Sequence, residues 1–190
     1  MSLPGLLVLT DRSQCDRPLA DVVAVAVDAG ARAVVLREKD LPDGERDALA
    51  GELRAVLAPV GGQLVCAGPR GDDAVHLAAR DPFPAPRPRL VGRSCHSAGE
   101  LAAARAEGCD YVLLSPVFPT RSKPGYGPAL GVEGFARLLP GAPPAYALGG
   151  VLPDVVPALL AAGAAGIAVM GPVMRDPSIV AAYLTALAAA

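Results

Sequence analysis

LLVLTDRSQCDRPLADVVAVAVDAGARAVVLREKD, residues 6–40, holds one strand–helix–strand unit that the rest of the chain repeats. The runs LLVLT (6–10) and AVVLR (33–37) are short, apolar and free of polar alternation. Strands buried on both faces of a parallel sheet read this way. Between them, Leu19, Val22, Val23 and Ala26 recur at helical spacing and place an apolar stripe on a helix over about residues 18–29. A parallel strand pair needs a crossover of this kind.

Downstream, Leu49, Leu53 and Val56 mark a second helix over about 44–57. The runs QLVCA (63–67), AVHL (74–77), LVGRS (90–94), YVLLSPV (111–117), YALGG (146–150) and IAVMG (167–171) raise the strand count to eight. Helical patterns follow near 97–107, 131–138, 153–162 and 175–188. Strands three and four lack one. GPRGDD (68–73) is too short for a helix, and DPFPAPRPR (81–89) carries too many prolines to be one. Eight βα units close most naturally into an α/β fold of the (β/α)8 TIM-barrel type, here with the helices after strands three and four shortened or missing. The expected organisation is one domain over residues 1–190. An open flavodoxin-like sheet competes, and the eight strands count against it.

Composition narrows the partners. Seventeen Lys+Arg face 19 Asp+Glu, no basic block occurs, and three Phe and four Tyr make a poor stacking platform, so a nucleic-acid partner is not expected. Apolar runs are broken before bilayer length, and MSLPGLLVLTDR (1–12) has no basic leader, so a cytoplasmic protein without membrane contact is expected. Cys15, Cys66, Cys95 and Cys109 are scattered, unlike a disulfide framework or a zinc site, and read as small buried apolar residues. Cys95 stands beside His96.

In a barrel of this type, function sits in the loops after the strands. Those loops offer Thr10 and Asp11 after the first strand, then Arg37, Glu38, Lys39 and Asp40 after the second. Ala67 and Gly68 follow the third, Asp81 the fourth, and Ser94 and His96 the fifth. SPVFPTRSKPGYGPALG (115–131) after the sixth carries Thr120, Ser122 and Lys123. Gly149 and Gly150 end the seventh, and Met170 and Gly171 the eighth. Cations, hydroxyls and glycines on one rim suit an anion, and loops seven and eight often bind phosphate through backbone N–H groups.

Plainer readings stand beside these. The glycines can be ordinary turns, and Arg37 and Lys39 can pair with Glu38 or another carboxylate. His76, inside an apolar run, reads as core. His96 stands at a strand end before Ser97, which caps the next helix without it; an imidazole left there suits acid/base work.

TD (10–11), LREKD (36–40), VHL (75–77) with Asp81, GRSCHS (92–97), DYVLLSPVFPTRSKPGYG (110–127), ALGGV (147–151) and GIAVMG (166–171) together resemble the thiamine phosphate synthase/TenI superfamily. The resemblance spans nearly the whole chain. It implies a (β/α)8 barrel acting on a thiazole phosphate in thiamine biosynthesis. The superfamily has two activities. The synthase joins a pyrimidine diphosphate to the thiazole phosphate, and carries Gln-x-Arg-x-Lys at strand two and Asn-Asp at strand three. Here Val35 stands in the place of the Gln that holds the pyrimidine, while Arg37 and Lys39 remain. Ala67 and Gly68 stand near the Asn-Asp pair. Asp81 matches a second magnesium carboxylate, and Thr120, Ser122 and Lys123 match pyrophosphate contacts.

Val cannot hydrogen-bond an aminopyrimidine, and one carboxylate is a weak platform for Mg²⁺. The resemblance therefore points to the TenI branch, a thiazole tautomerase that needs neither metal nor other cofactor. GRSCHS and GIAVMG also look closer to TenI. His96 would move the proton, Arg37 would face the substrate carboxylate, and Lys39 and Ser94 would contact substrate. Lys123, Thr120 and Ser122 with Gly149, Gly150, Met170 and Gly171 would hold the phosphate. The rival expectations are a divergent synthase using Mg²⁺ through Asp81, and a non-catalytic thiazole-phosphate binder. The Ala-rich helices would also let a homo-oligomer pack closely.

Overall fold

The computed structural model describes residues 3–69, 73–120 and 128–189. Eight parallel strands close into a barrel in chain order. They are β1 (Leu6–Leu9), β2 (Ala33–Leu36), β3 (Gln63–Ala67), β4 (Ala74–Leu77), β5 (Leu90–Cys95), β6 (Tyr111–Leu114), β7 (Ala145–Leu148) and β8 (Gly166–Val169). The ring closes where Leu6, Leu7 and Val8 pair with Ile167, Ala168 and Val169. Around it lie α1 (Leu19–Asp28), α2 (Asp43–Leu57), α3 (Ala98–Ala106), α4 (Gly131–Leu138), α5 (Val156–Ala161), α6 (Gly171–Arg175) and α7 (Val180–Ala188). No helix among the described residues follows β3 or β4.

Period-two alternation explains what each strand does. Leu7, Leu9, Ala33, Val35, Val65, Tyr111, Leu113, Tyr146 and Ala168 point inward and pack together as the barrel interior. Their neighbours Leu6, Val8, Val34, Leu36, Val112, Leu114 and Ile167 point outward into the layer beneath the helices. Continuing the inward parity past the strand ends carries Arg37, His96 and Met170 to one mouth of the barrel.

Arg93 shows how the chain covers β4 without a helix. It points outward from β5, is 3% exposed, and its Nη1 donates to the carbonyl oxygens of Ala78, Ala79 and Asp81 at 2.9, 3.1 and 2.9 Å. Its Nη2 lies 2.7 Å from Glu107 Oε2, an ion pair rather than an aligned hydrogen bond. One guanidinium thus satisfies backbone acceptors that a following helix would have covered. Replacing Arg93 with Met should leave these carbonyls without their donor and cost about 2–4 kcal/mol in urea unfolding. An unchanged midpoint would refute this stapling role. On β3, Arg46 of α2 likewise donates to the carbonyl of Ala67.

The C-terminal helix expected over 175–188 is divided. α6 ends at Arg175, and Asp176 then caps a short 3-10 turn (Pro177–Ile179) by accepting from Ser178 N at 3.1 Å. Pro177 restricts Asp176 to an extended backbone, which breaks the helical run. No described helix is long and apolar enough to cross a membrane. Cys66, Cys95 and Cys109 are buried free thiols, and burial pushes Cys95 up to about 12.

Candidate active site

A cavity of about 810 Å³ opens at the mouth formed by the C-terminal ends of the strands. That volume suits a small metabolite. Its deep wall is largely apolar, with Leu9, Ala67, Leu148 and Ala168, while His76, Ser94 and His96 come from β4, β5 and the loop after it. Val35 is fully buried in the interior cluster below, so β2 sends no polar atom to the floor at that position.

Each inward polar residue has a local cause. Ser97 caps α3 by accepting from Glu100 N at 3.3 Å, and Glu100 reaches back to accept from His96 N at 2.5 Å. Together these two bonds fix the backbone of His96, the residue just before the cap. The imidazole Nδ1 then lies 2.8 Å from the Ser115 carbonyl oxygen, which can only accept. Nδ1 therefore carries a proton and donates it to this carbonyl, and Nε2 is the other ring nitrogen.

Arg37 follows β2. Its backbone N donates to Thr10 Oγ1 at 2.9 Å, its Nη1 lies 2.6 Å from Met170 Sδ, and it makes no salt bridge among the described residues. Lys39 does: its Nζ donates to Asp81 Oδ2 at 3.1 Å, joining the loops after β2 and β4. Asp81 also accepts from Ala78 N at 2.8 Å. Partial burial of Asp81 opposes ionisation, but the Ala78 N–H and the Lys39 charge outweigh it and hold the carboxyl below its ordinary value. Glu38, expected as a partner for Arg37 or Lys39, instead pairs with Arg12 at 3.1 Å.

Gly149 and Gly150 both have positive φ, +99° and +63°. A Cβ on Gly150 would meet Pro119 O at 2.6 Å and Phe118 Cβ at 2.7 Å. The same turn is zipped to the loop after β6 by Val117 N to Leu148 O and Phe118 N to Gly149 O, both 2.9 Å. The turn thus needs glycine for its own geometry, as well as lining the cavity. Gly171 opens α6, and Arg175, one turn on, brings its guanidinium to within 2.9 Å of where a Gly171 Cβ would stand.

The family model described as thiamine monophosphate synthase (TMP-TENI) matches residues 6–173. The chain belongs to that family. A thiamine-phosphate synthase of Methanoregula boonei is 35% identical over 191 residues, spanning 93% of this chain and 88% of that protein. One from Anaeromyxobacter dehalogenans is 37% identical over 202 residues, spanning 97% and 87%. Among solved structures, the thiamine phosphate pyrophosphorylase of Pyrococcus furiosus superposes with a TM-score of 0.83 at 26% identity, covering 97% and 95% of the two chains. The protein is thus an enzyme of a thiamine-biosynthesis family with the expected barrel. These relatives are named for the synthase, so the closer kinship to TenI read from GRSCHS and GIAVMG is not supported by them.

Of the expected site residues of this TMP-TENI chain, Arg37, Lys39, Ser94, His96, Thr120, Gly149, Gly150, Met170 and Gly171 line the one cavity. Ser122 and Lys123 lie outside the described residues. Asp81 is held beside the rim by Lys39. No cluster of three or more potential metal-ligating His, Cys, Asp or Glu side chains occurs among the described residues. The Asp81 carboxylate is already engaged by an ammonium and a backbone N–H, a donor set that does not fit a divalent cation.

Two rim residues escaped the sequence reading. His76 is buried, as expected of a core residue, but it also borders the cavity floor, and Arg175 reaches the rim. Only the four-residue step from Gly171, one helical turn, could have pointed to Arg175. Arg175→Ala should weaken binding of a phosphorylated ligand about five- to tenfold by calorimetry, with less effect on its dephosphorylated counterpart. Equal losses for both ligands would show that Arg175 does not contact the phosphate.

Proposed function

We propose that this enzyme aromatises a carboxythiazole phosphate tautomer by moving one proton, the tautomerase reaction of the superfamily. The observation that carries the reading is that neither Val35 nor Ala67 offers a polar side chain at the β2–β3 floor of the cavity, below the charged Arg37 and Lys39. Val35 is buried beneath the floor and Ala67 faces the cavity, where a pyrimidine would need hydrogen-bond partners. Lys39 and Asp81, which a diphosphate and its metal would engage, neutralise each other instead.

In this reading the phosphate lies against Gly150 and Gly171 near Arg175, and Arg37 faces the carboxylate. His96 Nε2 takes a proton from the saturated ring carbon, and the bond electrons move into the ring. The imidazolium returns a proton at the far end of the conjugated system, so no atoms are gained or lost. The aromatic product makes the step downhill, so a modestly placed base suffices. Lys123 and Ser122 enter as phosphate contacts from the resemblance alone.

The second reading, thiamine phosphate synthase, is favoured by the names of the relatives, several above 30% identity over most of the chain. Identity spread over a barrel reports the fold and the family; the residues at the second substrate's place report the reaction, and those differ here. Incubation with the carboxythiazole phosphate tautomer, and separately with pyrimidine diphosphate, thiazole phosphate and Mg²⁺, separates the two. Aromatisation without thiamine phosphate formation is expected. Thiamine phosphate formation at a comparable rate would overturn the tautomerase reading. Binding with no turnover in either assay would leave a thiazole-phosphate binder.

A further inference from the structure

At the cavity floor, three polar side chains from adjacent strands form a line. Tyr111 of β6 sends its hydroxyl to 3.2 Å from His76 Nδ1, and His76 Nε2 lies 2.9 Å from Ser94 Oγ. Tyr111 and His76 are buried, at 1% and 5% exposure, and only His76 and Ser94 reach the cavity. The alignment is built by register. His76 pairs with Gly92, Gly92 pairs with Tyr111, and a Cβ on Gly92 would run into the Tyr111 ring. Glycine at position 92 is what lets the phenol reach the imidazole.

The proton positions follow from the partners. Burial, first of all, raises Tyr111 above its ordinary value, so the phenol keeps its proton and must give it to an acceptor. His76 Nδ1 is the acceptor it meets among the described residues. Burial, then the charges of Lys39 and Arg37, push His76 down to about 3, so its ring is neutral near pH 7. With Nδ1 accepting, the single ring proton is on Nε2 and is donated to Ser94 Oγ. The Ser94 proton is then turned away from His76 and towards the cavity.

We propose that Tyr111 and His76 are positioning residues that fix Ser94 as a hydrogen-bond donor to the ligand. The group that Ser94 meets is then an acceptor, such as a thiazole ring nitrogen or a carboxylate oxygen. In the opposite tautomer the Ser94 proton would be spent on His76, and the cavity would lose its donor. The choice of ligand rests on the function proposed above; the proton arrangement does not.

The experiment has a ligand-free arm and a binding arm. The chain has only two histidines, so ¹⁵N-histidine labelling gives two ring systems, and loss of one set in His96→Asn assigns the other. Wild-type His76 should be neutral at pH 7 with its proton on Nε2. Tyr111→Phe should populate the Nδ1–H form, although position 111 does not line the cavity. An Nδ1–H ring in the wild type, or an unchanged tautomer in Tyr111→Phe, would overturn the relay.

In the binding arm, thiazole phosphate affinity should fall about tenfold in Ser94→Ala, in Tyr111→Phe and in His76→Leu. His76→Gln, which keeps a side-chain N–H for Ser94, should restore most of it. His76→Gln as weak as His76→Leu would show that only ring packing matters and would overturn the proposal. Should His76→Leu not fold, Tyr111→Phe and His76→Gln decide the same question. Failure of the wild type to bind thiazole phosphate would overturn the proposed function, while the tautomer still decides the relay.

Discussion

His96→Asn should lower the first-order rate of carboxythiazole phosphate aromatisation by about 10²–10⁴-fold while leaving thiazole phosphate affinity within about threefold. Asparagine keeps a side-chain N–H for the Ser115 carbonyl, and Ser97 still caps α3, so the local fold should persist. What it lacks is the second ring nitrogen, Nε2, that takes the proton in the proposed step. Full activity in His96→Asn would remove His96 from the chemistry.

The barrel was legible because its strands are buried on both faces and so read as unbroken apolar runs, eight of them at βα spacing, the pattern of a covered parallel sheet. The same property hid the direction of each side chain. AVHL contains no polar alternation, so the sequence leaves His76 equally free to face a helix or the interior. Register decides it, through pairing of His76 with Ala67 and Gly92. Long-range pairings were hidden for a related reason. Lys39 and Asp81 lie 42 residues apart, and nothing local in either loop says that barrel closure sets them 3.1 Å apart. Arg93 drew no expectation from the sequence: one step from the inward-facing Ser94, it turns outward to staple the 78–81 backbone. His96 was expected at the mouth because its neighbour Ser97 already explained the helix start, and the structure places it on the cavity wall.

Gly150→Val should have the largest effect on stability and on ligand affinity together. The backbone at position 150 has φ of +63°, where a β-branched side chain is costly on its own, by about 1–2 kcal/mol or more. The new Cβ would also press on Pro119 O and Phe118 Cβ, and neither is the movable end of a flexible side chain. Relief requires the turn and the 116–119 segment to separate. That would strain or break the hydrogen bonds from Val117 to Leu148 and from Phe118 to Gly149. The combined cost is about 3–5 kcal/mol in chemical unfolding. Because Gly150, Pro119 and Thr120 line one side of the cavity, thiazole phosphate affinity should fall by at least about thirtyfold in whatever folded protein remains. Gly150→Ala separates the two components, since it adds the clash without the β-branch and should lose roughly half the stability. A Gly150→Ala protein with wild-type stability would mean that the turn and the loop after β6 are not locked together. Wild-type stability with lost affinity would instead place the phosphate directly against this glycine.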